Sequence, residues 1–376
     1  MQKRIKNAKR IVIKIGSALL VNQDSGELHE AWLHSLAQDV SELHKQGKEI
    51  VLVSSGSIAL GRNALKVSRK MAPTSIPLEA KQAAASVGQI ALMQAYYAAF
   101  KSHDITISQI LLTPADTENR RAHLNARSTF TKLLDEGIIP IINENDSVAT
   151  AEIRFGDNDR LAARVAQMTE ADLLIQLSTT DGLYTADPSE DRKAEHIAHV
   201  EKLSREHFDM AGDVVEGLST GGMIAKLEAA KLAISAGTQM IIAKGTDNNP
   251  IQALIDGARC TIFDAQETPG PARKRWIATH VKPKGSVSID DGALKALKSG
   301  KSLLPAGVRR VSGDFVRGDA IQLLNLDGEQ IGVGLSAYDN GEALQIIGKK
   351  SAEIQSILGY AGRDELIHRD DLVLQV

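Results

Sequence analysis

The sequence predicts an α/β protein: a mostly parallel sheet sandwiched by helices, followed by a small β-rich domain. Three observations predict it. Short β-branched runs alternate with longer amphipathic segments through the first two-thirds of the chain, and those runs are apolar nearly throughout, as strands buried on both faces are. Near residue 265 the texture changes to short, turn-rich runs punctuated by Gly307, Gly313, Gly318, Gly328, Gly332 and Gly334. The length, 376 residues, is that of two or three domains.

Taken in order, Ile11-Val12-Ile13-Lys14-Ile15 is the first strand and ends at Gly16-Ser17. A helix follows near 30–46, with Leu33, Leu36, Val40 and Leu43 on one face and Gly47 as its stop. Ile50-Val51-Leu52-Val53 runs into Ser54-Ser55-Gly56, and further strands are expected near 105–112, 138–142, 172–177, 239–243 and 259–263. Helical patterns cover 161–168 and 224–235. Residues 266–283, with Pro269, Gly270, Pro271 and Pro283, read as a linker. It divides a first domain, 1–265, from a second, 284–376, which carries a helix near 291–298.

Composition narrows the function. Hydrophobic residues at 43% and charged residues at 24% are those of a soluble globular protein. With 44 Lys and Arg against 47 Asp and Glu, the net charge of −3 argues against a coat for nucleic acid or an anionic membrane. Cys260 is the lone cysteine, which excludes an intramolecular disulfide, a cysteine zinc site and a CxxC pair. A chain without disulfides fits a reducing cytosol. The basic start, residues 1–10, leads into no signal-like apolar region, and no run approaches the roughly 18 apolar residues of a membrane span. A cytoplasmic enzyme is expected.

Common signatures are missing. No GxxxxGKS or GxxxxGKT loop, HExxH pair or GxSxG elbow occurs. Gly332-Val333-Gly334-Leu335-Ser336-Ala337 spells GxGxxA but lies in the β-rich tail, where its glycines read as turn residues. What remains is a set of lysines, glycines and acids at strand ends, where sheets of this kind bind ligands. Lys14 interrupts an apolar strand, so it must snorkel, pair with a carboxylate or meet an anionic ligand. Thr220-Gly221-Gly222-Met223 opens a helix carrying Lys226 in its first turn, where the dipole disfavours a cation and a bound phosphate would favour one. A plain Gly-rich loop is the alternative. Asn143-Glu144-Asn145-Asp146 and Gly156-Asp157-Asn158-Asp159 concentrate acids and amides; helix capping by Asp157 or Asn158 accounts for only one of them.

Together these residues resemble the amino acid kinase family. The resembling segments are Val12-Ile13-Lys14-Ile15-Gly16-Ser17, Val53-Ser54-Ser55-Gly56-Ser57-Ile58-Ala59, Leu124-Asn125-Ala126-Arg127, Ile142-Asn143-Glu144-Asn145-Asp146, Gly156-Asp157-Asn158-Asp159, Gly182-Leu183-Tyr184-Thr185-Ala186-Asp187-Pro188 and Thr220-Gly221-Gly222-Met223. They run in family order along nearly the whole chain. The tail, with Ser302-Leu303-Leu304-Pro305-Ala306-Gly307 and Gly318-Asp319, resembles a PUA domain.

The resemblance implies the amino acid kinase fold, with Mg-ATP as co-substrate, no tightly bound organic cofactor and no metal ligands in the chain. It implies ATP-dependent phosphorylation of the γ-carboxylate of L-glutamate to L-glutamyl 5-phosphate, the first step of proline synthesis. By the same resemblance Lys14, Lys226 and Asp159 are catalytic, with Asp159 orienting the two lysines. Ser55, Asp146 and Asn158 would hold glutamate. Lys14, Ser178, Thr179, Thr220, Gly221, Gly222, Met223, Ile224, Ala225 and Lys226 would surround ATP. Homo-oligomers, feedback inhibition by proline and a downstream glutamyl phosphate reductase complete the implied picture.

One residue departs from the family pattern. Thr179 stands where the family usually has an aspartate; either Asp181 substitutes for it or nucleotide handling differs. Two rival readings remain. A kinase of N-acetylglutamate, aspartate or a nucleoside monophosphate would share the fold, though the polar 143–159 segment and the appended tail favour glutamate. An RNA-binding role for the tail is disfavoured, because residues 281–376 carry 12 Lys and Arg against 13 Asp and Glu, with only Phe315, Tyr338 and Tyr360 as aromatics.

Overall fold

The computed structural model describes residues 1–22, 24–65, 75–148, 158–212, 222–280 and 282–375. The chain divides into two units, Met1–Pro269 and Gly270–Val376.

In the first unit the strands are β1 (Arg10–Ile15), β2 (Glu49–Ser54), β3 (Ile107–Leu112), β4 (Ile139–Glu144), β5 (Leu173–Ser178), β6 (Leu183–Tyr184), β7 (His196–Ile197), β8 (His199–Val200), β9 (Gln239–Lys244) and β10 (Cys260–Phe263). Among the described residues, eight of them form one sheet in the order β3-β4-β2-β1-β5-β9-β10-β8. Every neighbouring pair is parallel except β9 and β10. All seven runs expected as strands in this unit are strands of this sheet; the two-residue strands were too short to show a period.

Alternation along the strands divides the core in two. Ile11, Ile13 and Ile15 of β1 meet Leu33, Leu36 and Val40 of the Glu30–Lys45 helix and Leu92, Tyr96 and Phe100 of the Leu78–Lys101 helix. Val12, Leu174 and Ile242 face the other way, against Ala162 and Val165 of the Asn158–Thr169 helix and Leu227 and Ala230 of the Met223–Ser235 helix. Lys14, two residues after Val12, points to this second face. Helices on both faces explain why the strands read as continuous apolar runs.

The second unit contains β11 (Gly285–Ile289), β12 (Val308–Gly313), β13 (Ala320–Leu324), β14 (Gln330–Leu335) and β15 (Leu372–Leu374), ordered β12-β11-β13-β14-β15. Its core includes Val287, Phe315, Ile321, Leu323, Ile346 and Ile367. The expected helix is present as Asp291–Lys298, capped by Asp290, whose carboxylate accepts from the Ala293 N–H.

Two expectations need correction. Much of the 266–283 segment is helix, Pro269–His280, with Ala272 and Ile277 buried. Pro269 and Pro271 fall in its first turn, where a missing N–H costs no intrahelical bond, so these prolines start a helix instead of marking a linker. Gly332 and Gly334 are strand residues of β14 and not turn residues. A Cβ on Gly332 would lie 2.5 Å from the Val373 carbonyl oxygen, so close strand approach requires the glycine. Among the described residues, no helix is long and apolar enough to cross a membrane.

Candidate active site

The carboxyl ends of β1, β2, β4 and β5 open onto a cleft of about 440 Å³ in the first unit. Lys14, Ser55, Ser57, Asn143, Asp146, Asn158, Ser178, Thr179 and Lys226 line it. Seven of these nine are residues to which the resemblance assigns a role.

Asp159 is not among the described residues that line the cleft but lies behind Lys14 and Lys226, in the first turn of the Asn158–Thr169 helix, where the dipole favours an acid. It is 0% exposed, and Lys14 and Lys226 are 6% and 5% exposed. Lys14 Nζ pairs with Asp159 Oδ1, and Lys226 Nζ donates to Oδ2 at 3.0 Å. Burial alone would raise the Asp159 pKa, but the charges and hydrogen bonds of the two lysines outweigh it and hold the carboxyl below its usual value. Burial pulls Lys226 below its usual value, with Lys14 adding to the effect and Asp159 opposing it. Two ammonium groups on one carboxylate leave a surplus positive charge. Asp159 also answers why a lysine stands in the first turn of the Met223–Ser235 helix: the partner is a buried carboxylate.

The neighbouring wall is a network of small polar groups. Among the described residues Asn158 accepts no backbone N–H at its side-chain oxygen, so it does not cap the Asn158–Thr169 helix. Its Nδ2 lies 2.9 Å from the Ser54 carbonyl oxygen, 2.7 Å from Ser55 Oγ and 3.0 Å from Asn143 Oδ1. Its Oδ1 is buried and has no partner among the described residues. Asn143 Nδ2 donates to Ser57 Oγ at 3.2 Å and Gln89 Oε1 at 2.9 Å. Asp146 is half-buried, and burial pushes its carboxyl up to about 6, against a hydrogen bond with Ser57.

The nucleotide-side candidates divide. Ser178 and Thr179 line the cleft at the end of β5. Gly222 caps the Met223–Ser235 helix, and Met223, Ile224 and Ala225 form the turn leading to Lys226, but these four are not among the described residues that line the cleft. Thr220 and Gly221, like Gly156, Asp157 and most of the expected connection 147–155, lie outside the described residues. Asp181, the other candidate for the aspartate absent at Thr179, is not among the described residues that line the cleft. Its carboxylate accepts from the Tyr184 hydroxyl at 2.8 Å and stands 3.8 Å from Arg259.

Asn143 belongs to the cluster of acids and amides read from the sequence but was given no role there, and Ser57, within a resembling segment, was not singled out. Arg62 and Lys81, which also line the cleft, belong to no motif and had no signal in the sequence. Among the described residues no group of three His, Cys, Asp or Glu side chains is arranged as metal ligands.

Comparison with known proteins follows the same division into units. A model of the amino acid kinase family matches residues 9–244. The chain belongs to the amino acid kinase family. A PUA domain model matches residues 285–358. Glutamate 5-kinase of Rhodopseudomonas palustris (strain BisA53) is 54% identical over 370 residues, 98% of this chain and 97% of that protein. Glutamate 5-kinase of Ruegeria sp. (strain TM1040) is 54% identical over 98% of this chain and 99% of its own length. For Gluconobacter oxydans (strain 621H) the values are 52%, 99% and 98%, again a glutamate 5-kinase. The family's sheet and helices are those described above, with the PUA sheet as a separate β-rich unit.

Proposed function

We propose that this chain transfers the γ-phosphoryl group of Mg-ATP to the γ-carboxylate of L-glutamate, giving L-glutamyl 5-phosphate and ADP, the opening step of proline biosynthesis. The observation that carries the reading is the pair of buried lysines on Asp159 at the floor of a cleft walled by Ser55, Asn158 and Asp146. Relatives above 50% identity over nearly the full chain, each a glutamate 5-kinase, support it.

The nucleophile is a carboxylate with an ordinary pKa of about 4.3, already ionised at neutral pH, so the reaction needs no general base. One carboxylate oxygen bonds to Pγ, the bond from Pγ to the bridging oxygen breaks, and that oxygen leaves with its electron pair on ADP. The obstacle is electrostatic, since an anion must approach a triphosphate. Lys14 and Lys226, both paired with Asp159 and both lining the cleft, meet that charge. The Mg²⁺ travels on the nucleotide and adds to the positive field. Asp146 and Asn158, which both line the cleft, carry acceptor oxygens suited to a free α-ammonium group, which N-acetylglutamate lacks.

The deciding assay is ADP release with Mg-ATP and L-glutamate, N-acetyl-L-glutamate, L-aspartate or UMP, with hydroxylamine to trap an acyl phosphate. Turnover and hydroxamate with L-glutamate alone are expected. Preference for another acceptor would move the protein elsewhere in the family. In the same assay added proline should lower turnover, and a glutamyl phosphate reductase should consume the labile product. We also propose a cytoplasmic homo-oligomer. Val87, Ile90 and Tyr97, exposed on the Leu78–Lys101 helix, support self-association, and a light-scattering mass of one chain would refute it.

A further inference from the structure

We propose that Gln176 is a positioning residue for phosphoryl transfer, holding the Lys14–Asp159–Lys226 group in place from beneath. The proposal deepens the kinase reading and rests on it. Gln176 is fully buried in β5, where Leu173, Leu174, Ile175 and Leu177 are apolar. Its Oε1 has no hydrogen-bond partner among the described residues. Burying such an amide costs stability that an apolar side chain of similar volume would not, so packing gives no reason for it.

The register supplies one. Gln176 is the β5 partner of Lys14, whose other neighbour in the sheet is Val53 of β2. Alternation puts Lys14 and Gln176 on the same face as Val12 and Leu174, the face covered by the Asn158–Thr169 helix. From there Gln176 Nε2 donates to the backbone oxygen of Asp159 at 3.4 Å. One amide therefore stands beside one catalytic lysine and touches the main chain of the residue that orients both. Its neutrality matters: it holds Asp159 without competing for the ammonium charge that the incoming anions need. Its oxygen, without a partner among the described residues, is a neutral acceptor on the sheet face that also carries Lys14.

Gln176→Met, a near-isostere, tests this in the full chain. The expected result is a kcat lower by roughly tenfold, both KM values within about twofold, and a melting temperature unchanged or raised. Gln176→Glu should lose more, because its charge would neutralise a lysine, and its loss should deepen as pH rises. Unchanged kcat in Gln176→Met would overturn the proposal, as would a kcat loss matched by a fall in melting temperature and a rise in both KM values. Gln176→Leu, run in parallel, gives the same readout should the methionine variant fold poorly. A wild type that phosphorylates no acceptor would overturn the kinase reading itself, and the positioning role with it.

Discussion

Asp159 and its two lysines are a single electrostatic unit, so replacing any member has two separable effects. Lys14→Met or Lys226→Met should lower kcat by about 10²–10³-fold, the cost of losing one donor aimed at developing charge, and leave the KM for glutamate nearly unchanged in steady-state kinetics. Asp159→Asn leaves two buried ammonium groups without their counter-charge and should cost about 3–5 kcal/mol in a denaturant titration at neutral pH. The Asp159 carboxyl is held below its unfolded value, so its stabilisation is present above the ordinary carboxylate range of about 4 and is lost only as pH falls through the lower folded value. At acidic pH below that value the wild type and Asp159→Asn should converge. Asp146 has the opposite sign. Its carboxyl, pushed up to about 6, makes the free protein more stable as pH falls through that value, whereas the proposed glutamate binding through the α-ammonium needs the ionised form. Apparent glutamate affinity should therefore fall below about pH 6, and Asp146→Asn should bind weakly at every pH while melting no lower than the wild type at pH 8. A flat affinity profile in the wild type would exclude this role. Lys14 was legible because a charge inside an apolar strand demands a partner; Ser57, Arg62 and Lys81 were not, because serines and surface-type cations in helices carry no such demand.

Between residues and fold lies the crossing of the Ser57–Ala64 and Leu78–Lys101 helices, which sets where Ser55 and Ser57 stand. A Cβ on Gly88 would lie 1.8 Å from the Ser57 carbonyl oxygen, and one on Gly61 1.8 Å from that of Ala84. Both obstacles are backbone, so the helices themselves must part. Gly88→Ala should destabilise by about 1–3 kcal/mol in a thermal or denaturant melt. It should also raise the KM for glutamate, because the start of the Ser57–Ala64 helix carries Ser57, which bonds Asn143 and Asp146. A normal melt with normal KM would show that the crossing is more pliable than its distances imply. Neither glycine stood out in the sequence, since a helical glycine reads as a weak point until the partner backbone is seen. The strands were legible for the opposite reason: burial on both faces forces continuous apolar runs, a pattern carried by the chain itself. The Pro269–His280 helix misled because the same prolines can end one element or begin another, and only the burial of Ala272 and Ile277 decides between them.

At the scale of the whole chain, every residue named in the cleft belongs to Met1–Pro269, and Gly270–Val376 has its own sheet and its own apolar core. The first unit holds both sets of core contacts on either side of its sheet, including the helices that carry Asn158, Asp159 and Lys226. Catalysis is therefore expected from the first unit alone. A chain ending at Pro269 should fold cooperatively and keep the wild-type kcat with L-glutamate within about tenfold, since none of the groups that meet the phosphoryl charge is removed. Gly270–Val376, expressed separately, should melt as a single transition and phosphorylate nothing, its near-balanced charge offering little electrostatic hold on nucleic acid. The cut is placed before Gly270 because the Pro269–His280 helix buries Ile277 against Ala320, Val333 and Leu335; a cut inside that helix would strip the second unit of an apolar layer. A truncated first unit that folds but has lost turnover by several orders of magnitude would show that the second unit acts on the cleft, and would make it part of the catalytic protein.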